Sequence, residues 1–202
     1  MGKKIAIGCA GAILVFALIA GASISGTYNS LVQLDQATEA QWAQVQNAYQ
    51  RRADLVPNLV ATVKGAANFE QSTMTAVTEA RAKVGQVTPA AMADITKDPA
   101  AFQRYQQAQQ GLSSALSHLL VVTENYPQLR SSEQFMRLQD ELSGTENRIG
   151  VARKRYNDAI QDYNTFILQF PNSIWAGIAG FHQNDAYFKA SESARQVPGV
   201  KF

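Results

Sequence analysis

The residues best equipped for chemistry sit in the stretch "QRRADLVPNLV" at 50–60, where Arg51, Arg52 and Asp54 stand close to Pro57 and Asn58. Such a cluster reads as a binding site, a catalytic group or a corner of the fold. For catalysis it lacks partners. The two histidines, His118 and His182, do not follow a glutamate by three residues, as an inward-facing di-metal helix motif requires. Neither has a second histidine at helical spacing. Cys9 is the single cysteine and lies in an uncharged apolar run. No G-x-S-x-G elbow and no phosphate-binding P-loop occurs. The sequence therefore predicts no enzyme, no metal and no cofactor.

Further charges fall on positions that helical periodicity turns inward: Asp35 and Arg52 in one segment, Glu70 and Arg81 in the next. A buried charge is costly unless paired, so these positions are either wet or paired across helices. Asp54 is placed to pair with Arg51 or Arg52, or to cap a helix that follows. The dipeptide Tyr-Asn occurs at 28–29, 156–157 and 163–164. Tyr156 and Tyr163 are seven apart and share a helix face, with Asn157 and Asn164 beside them. A polar layer that fixes helix register is the favoured reading of these residues. A small-ligand site between helices near Glu70 and Arg81 is the other.

The elements that must position these groups are helices. The chain has 202 residues, 46% of them hydrophobic, which supplies a core for one domain plus an appendage. Its 13 glycines and 6 prolines are too few for a loop-rich or β-rich protein. Lys3 and Lys4 account for the whole formal net charge of +2, so no basic surplus points to nucleic acid. One cysteine excludes an intrachain disulfide.

Lys3 and Lys4 precede residues 5–24, which carry no charge. A helix of that length crosses a bilayer core of about 30 Å. The run exceeds the ~7–15 apolar residues of a cleaved signal peptide. Residues 1–26 are expected to be a membrane anchor, with the N-terminus inside and the body outside the cytoplasm. Ala17, Gly21 and Ser25 form a small-residue row that could pair helices into a homo-oligomer, although small residues are common in any spanning helix.

Beyond Gly26, apolar residues recur by threes and fours. The run Phe135, Leu138, Leu142, Thr145, Ile149, Ala152, Tyr156, Ala159, Tyr163, Phe166 and Phe170 forms one seam within 131–170. Phe102, Tyr105, Gln109, Leu112, Leu116, Leu119, Thr123 and Tyr126 form another within 99–126. Two seams with polar intruders lie in 28–52, from Tyr28 to Arg52, and in 57–84, through Val63, Ala67, Glu70, Met74 and Arg81. Pro57 and Pro127 read as corners at one tip, with Val56 pushed out of helical geometry by the proline after it. Gly85, Pro89 and Pro99 mark a long loop over 84–99, and Ser131 or Ser132 is placed to cap the last helix. The fold class is thus all-α: an antiparallel up-down-up-down four-helix bundle over 27–170. A tail at 171–202, carrying Trp175, Phe181, Tyr187 and Phe188, either caps the bundle base or lies at the membrane interface.

The segments "YNSLVQLDQATEAQWAQVQNAYQRRADLVPNLVATVKGAANFE", "EARAKV", "NRIGVARKRYNDAIQDYNTFILQFPNSIWAG" and "YFKA" resemble the LemA family of bacterial membrane-anchored proteins, from about Tyr28 to Ala190. The resemblance implies one N-terminal membrane helix, a helical bundle on one side of the bacterial inner membrane, and no catalytic residue to carry over. Some members are linked to envelope or organelle membranes such as magnetosomes. Members often carry His-Glu where this chain has Phe69-Glu70, which weakens a metal role there. The residues expected to serve interaction or structure are Arg51, Arg52, Asp54, Pro57, Asn58, Glu70, Arg81, Arg148, Arg153, Tyr156, Asn157, Tyr163 and Asn164. The leading expectation is a membrane-tethered scaffold that binds an envelope protein. A small-ligand sensor and a lipid-binding or membrane-remodelling protein are the alternatives.

Overall fold

The seam read in 131–170 is realised as a helix, α5 (Glu133–Leu168), in a computed structural model that describes residues 2–65, 70–86, 95–96 and 98–189. Within the first helix, the side chains of residues 2–10, 12–13 and 16–20 lie outside that description. Before α5 come α1 (Gly2–Lys64), α2 (Gln71–Gly85), α3 (Pro99–Val122), a 3-10 turn (Thr123–Asn125) and the single turn α4 (Pro127–Arg130); α6 (Asn172–Ala179) follows. The fold class is all-helical as expected, with no strand among the described residues. Among these residues no helix is long and apolar enough to cross a membrane. The expected anchor at 1–26 falls largely on side chains outside the description, Cys9 and Ala17 among them.

The periodicity predicts burial well. On α3, Phe102, Tyr105, Gln109, Leu112, Leu116 and Leu119 are all buried. On α5, Phe135, Leu142, Thr145, Ile149, Ala152, Tyr156 and Tyr163 are buried. Phe170 departs from its seam, because α5 ends at Leu168 and the ring lies exposed beyond it. Ser132 caps α5 as expected, its Oγ accepting from the Phe135 amide at 3.2 Å. Pro99, expected in a loop, instead opens α3. The Asp98 carboxylate accepts from the amides of Ala100 and Ala101 at 2.9 and 3.1 Å, and a proline fits the first helical turn because its missing N–H has no helical acceptor there. Pro89 and Ala67 lie outside the described residues.

The largest correction concerns Pro57. It is not a corner: α1 runs through it to Lys64. Val56 stays helical and is buried, with Leu59 and Val63 continuing its face into the core. Burial of that face opposes the local preference against helix before proline. The chain breaks at Gly65, whose amide still reaches the Ala61 carbonyl at 3.3 Å, and α2 resumes after Glu70. So 57–84 is not one helix, and Glu70 is not a seam residue. It is the exposed residue before α2, in extended geometry, accepting from the Thr73 hydroxyl at 3.2 Å. Asp54 neither caps a helix nor pairs with Arg51 or Arg52; it is exposed and accepts from Gln50 Nε2 at 2.7 Å.

The chain divides into two compact units: residues 1–40 with 158–184, and residues 41–157 with 185–202. In the first unit, Leu31, Tyr163, Ile167 and Ala176 form the core, with Leu34, Phe166 and Phe181 packed on it. There α6 ends in a Schellman turn. Gly180 takes φ 79°, and the amides of Gly180 and Phe181 donate to the carbonyls of Gly177 and Ala176 at 3.3 and 2.9 Å. Phe181 then meets Tyr28 edge-on, ring centroids 5.9 Å apart.

In the second unit one apolar core draws on α1 (Val56, Leu59, Val63), α2 (Val77, Val84), α3 (Leu112, Leu116, Leu119), α4 (Leu129) and α5 (Phe135, Leu142). A second layer is aromatic. Trp42, Tyr49, Phe102 and Tyr156 gather around Phe188 of the extended segment 181–189, and Tyr105 packs on Trp42 and Tyr49.

Candidate functional site: an arginine network and a basic groove

Arg52 sits on the inward face of α1, seven residues after buried Val45 and three after buried Tyr49, so periodicity turns its guanidinium into the core of the second unit. Only 2% of its surface is exposed. Its Nη1 donates to Glu146 Oε1 at 2.9 Å, and its Nη2 donates to both the backbone and side-chain oxygens of Gln109 at 3.1 and 2.5 Å. The Tyr49 ring lies 5.0 Å from the guanidinium carbon, a cation–π contact. A buried guanidinium is tolerated here because α3 and α5 each deliver an acceptor to it. A small cavity of about 90 Å³ borders this network, walled among others by Gln106, Ser113, Arg153 and Phe188.

The phenols beside the network are held protonated. Burial pushes Tyr49 up, against the opposing pull of the Arg153 and Arg52 charges. Burial also raises Tyr105, reinforced by Tyr49, while its hydrogen bond with Gln109 acts the other way. Both rings therefore stay neutral and serve as packing surfaces across the physiological range. In the first unit, burial and then the Asp35 charge raise Tyr163.

Two of the tyrosine-adjacent asparagines hold the extended segment. In the second unit, Asn157 Nδ2 donates to the Phe188 carbonyl at 2.8 Å, and the Phe188 amide donates to Asn157 Oδ1 at 2.9 Å. In the first unit, Asn164 makes the same pair of bonds with Asn184, both at 2.8 Å. A primary amide has the donor–acceptor pattern of a peptide group, so each asparagine pairs with one residue of backbone as a neighbouring strand would. Arg153 covers the other side, its guanidinium carbon 4.6 Å from the Phe188 ring centroid. Tyr156 stands in the same aromatic layer, 5.7 Å from Phe188. Of the tail aromatics, Phe188 is buried in the second unit and Phe181 packs in the first, while residues 190–202 lie outside the description.

The remaining expected residues separate. Arg81 donates from Nε to the Ala53 carbonyl at 3.0 Å. Asn58 is exposed, its carbonyl accepting from the Thr62 hydroxyl at 2.9 Å. Arg51 points away from Arg52 and pairs with Glu141 of α5. On that outer side lies a groove of about 470 Å³ between α1 and α5 in the second unit, lined by Gln44, Asn47, Ala48 and Arg51 from α1 and by Thr145, Asn147, Arg148, Val151, Ala152 and Arg155 from α5. It holds three arginines and no acidic side chain. Sequence reasoning singled out Arg51 and Arg148 but missed Arg155, although a spacing of seven from Arg148 places it on the same helix face. It named Gln109 only as a seam position and Phe188 only as a tail aromatic, and it missed Glu146 and Asn184. Their roles depend on long-range contacts that no local spacing encodes.

This arrangement offers hydrogen bonding and ion pairing. Among the described residues no three His, Cys, Asp or Glu side chains gather as a metal site would need.

The family model described as the LemA family matches residues 41–202. The chain is similar to the magnetosome protein MamQ 2 of Paramagnetospirillum magneticum, 28% identical over 176 residues, covering 80% of this chain and 64% of that protein. It is similar to the magnetosome protein MamQ of Magnetospirillum gryphiswaldense, 26% identical over 168 residues, with 76% and 62% covered. A third relative is the protein LemA of Metamycoplasma hominis, 25% identical over 170 residues, with 84% and 72% covered. The chain thus spans a little under two thirds of the length of the MamQ relatives it matches.

Proposed function

The chain belongs to the LemA family, and from that premise we propose that it is a non-enzymatic, membrane-tethered helical module that binds another protein. The observation that carries this reading is the contrast between its arginines. Arg52 and Arg81 are tied to oxygens of their own chain, and Arg153 to a ring of it. Arg148 and Arg155 line an open groove and, among the described residues, make no ion pair there. Exposed guanidiniums above an apolar floor are a binding surface for a carboxylate-bearing partner.

The tether is the run of residues 5–24 behind Lys3 and Lys4, which holds the chain in a bacterial inner membrane with the body outside the cytoplasm. The body is an antiparallel up-down-up-down four-helix bundle, a reading supported by the single core to which α1, α2, α3 and α5 all contribute in the second unit. The likeness to magnetosome proteins is consistent with service at an envelope or organelle membrane. The test is photo-cross-linking in living cells from a reactive side chain placed at Val151, in the groove, and at Asn58, on the exposed side of α1. A discrete protein adduct from Val151 and none from Asn58 is expected. Adducts only from Asn58, or from neither, would overturn the groove as the contact surface. Reporters fused at each end of the chain test the orientation.

A further inference from the structure

We propose that the groove between α1 and α5 seats an acidic amphipathic helix of the partner, with two carboxylates about seven residues apart facing Arg148 and Arg155. This rests on the reading of the groove as an interaction surface and names the chemistry of what fills it. Three observations carry it. First, the walls are two helix faces: Gln44, Asn47, Ala48 and Arg51 recur at helical spacing on α1, and Arg148, Val151, Ala152 and Arg155 on α5. A trough made of two helices is the shape that a third helix fills. Second, the charge is one-sided. Arg51 is already paired with Glu141, so among the described residues two uncommitted guanidiniums remain, with no acid in the lining. Seven residues of helix place them about 10.5 Å apart along the axis, and the same spacing on a docked helix sets two carboxylates opposite them. Third, the floor between the charges is apolar. Val151 is 52% exposed and stands beside Ala152 and Ala48. A leucine or alanine midway between the two acids would cover it, leaving Asn47 and Asn147 at the polar rim. A free phosphate or a nucleotide would use the arginines but leave Val151 wet.

The test uses the full chain in mild detergent and a fluorescein-labelled synthetic helix bearing two glutamates seven apart with a leucine between them. A control peptide carries lysine in place of glutamate. Anisotropy is expected to report salt-sensitive binding of the glutamate peptide, none of the lysine peptide, and a weakening of about tenfold or more in the double variant Arg148→Ala, Arg155→Ala. Both arginines are exposed and make no internal bond among the described residues, so helix content and the melting temperature should not move. Val151→Glu should also weaken binding, which a purely electrostatic anion site would not show. Equal binding by the double variant, equal binding of the lysine peptide, or no binding at all would overturn the proposal. So would vesicles of phosphatidylglycerol that bind through the same arginines while the peptide does not. If the peptide fails while cross-links from Val151 persist in cells, the groove stands as a contact surface and only the acidic-helix chemistry is lost. If the cross-links fail, the contact surface itself is wrong.

Discussion

Arg81 donates from Nε to the carbonyl oxygen of Ala53 at 3.0 Å, and that carbonyl is the one Pro57 leaves without a helical donor. A proline inside a helix removes the bond from its own nitrogen to the carbonyl four residues back. Here a side chain from α2 replaces it, and α1 continues unbroken to Lys64. The arginine that looked like a polar intruder on a seam is the complement of the proline that looked like a corner.

This pairing predicts coupling. Arg81→Ala should destabilise the protein by about 1 kcal/mol, since the Ala53 carbonyl would lose its donor in a partly buried place. In a Pro57→Ala background the amide of residue 57 can serve Ala53, and Arg81→Ala should then cost little. A double-mutant cycle by urea unfolding should return a coupling of about 0.5–1 kcal/mol. Strict additivity would show that the two residues act independently.

The buried network predicts an order of costs. Arg52→Ala should lose about 3 kcal/mol or more, because it empties a filled interior and strands the oxygens of Gln109. Gln109→Leu should come next, leaving a buried cation with one partner fewer. Glu146→Gln should cost least, since the Glu146 side chain is 39% exposed and water replaces part of what is lost. Denaturant midpoints across the three variants check the order. A Glu146 variant worse than Arg52→Ala would contradict it.

Phe188 and its clamp should behave as part of the core. Phe188→Ala is expected to cost about 3–5 kcal/mol and to shift Trp42 emission to the red, because that indole lies 6.1 Å from the Phe188 ring, stacked on it. Asn157→Asp keeps the acceptor for the Phe188 amide but loses the donor to its carbonyl and sets a carboxylate against it. A loss of about 1–3 kcal/mol and faster exchange of the Phe188 amide are expected. Unchanged exchange would show that the clamp is dispensable.

The raised tyrosines set an alkaline limit. Burial lifts Tyr49 and Tyr105 above the ordinary phenol value of about 10. The neutral form is favoured in the folded state, so this contribution is full below that value. It is lost as pH rises above it towards the folded-state values. Phenolate absorbance should appear for these rings only together with loss of the helical circular dichroism signal. Tyr105→Phe should move the onset of alkaline unfolding to higher pH. Phenolate absorbance from Tyr105 in a chain still folded would refute the assignment.

Helix content and inward faces were legible in the sequence because periodicity is a local property. The seam from Phe102 to Leu119 is buried where its spacing puts it, and so is that from Phe135 to Tyr163 except for the half-buried Leu138 and Ala159. The Pro57 corner was misread because the residue that rescues the helix, Arg81, lies 28 positions away. Glu70 was misplaced for the same reason, since extending one helix over 57–84 carried the seam across a break. The Tyr-Asn repeats were visible as a pattern, but their use as backbone clamps required knowing that residues 184 and 188 return to α5. Arg148 was visible; the groove it lines needed the spatial neighbour Arg51.

The position of Phe188 among Trp42, Phe102 and Tyr156 also sets a timetable. During synthesis the helices that wall the aromatic layer emerge first, and the ring that closes it follows them. At about 5–20 residues per second, the interval between Tyr156, the last of these walls, and Phe188 lasts about 2–6 seconds. Throughout that interval the nascent chain presents an open aromatic slot, the kind of surface that holdase chaperones engage, until the late segment arrives and shuts it.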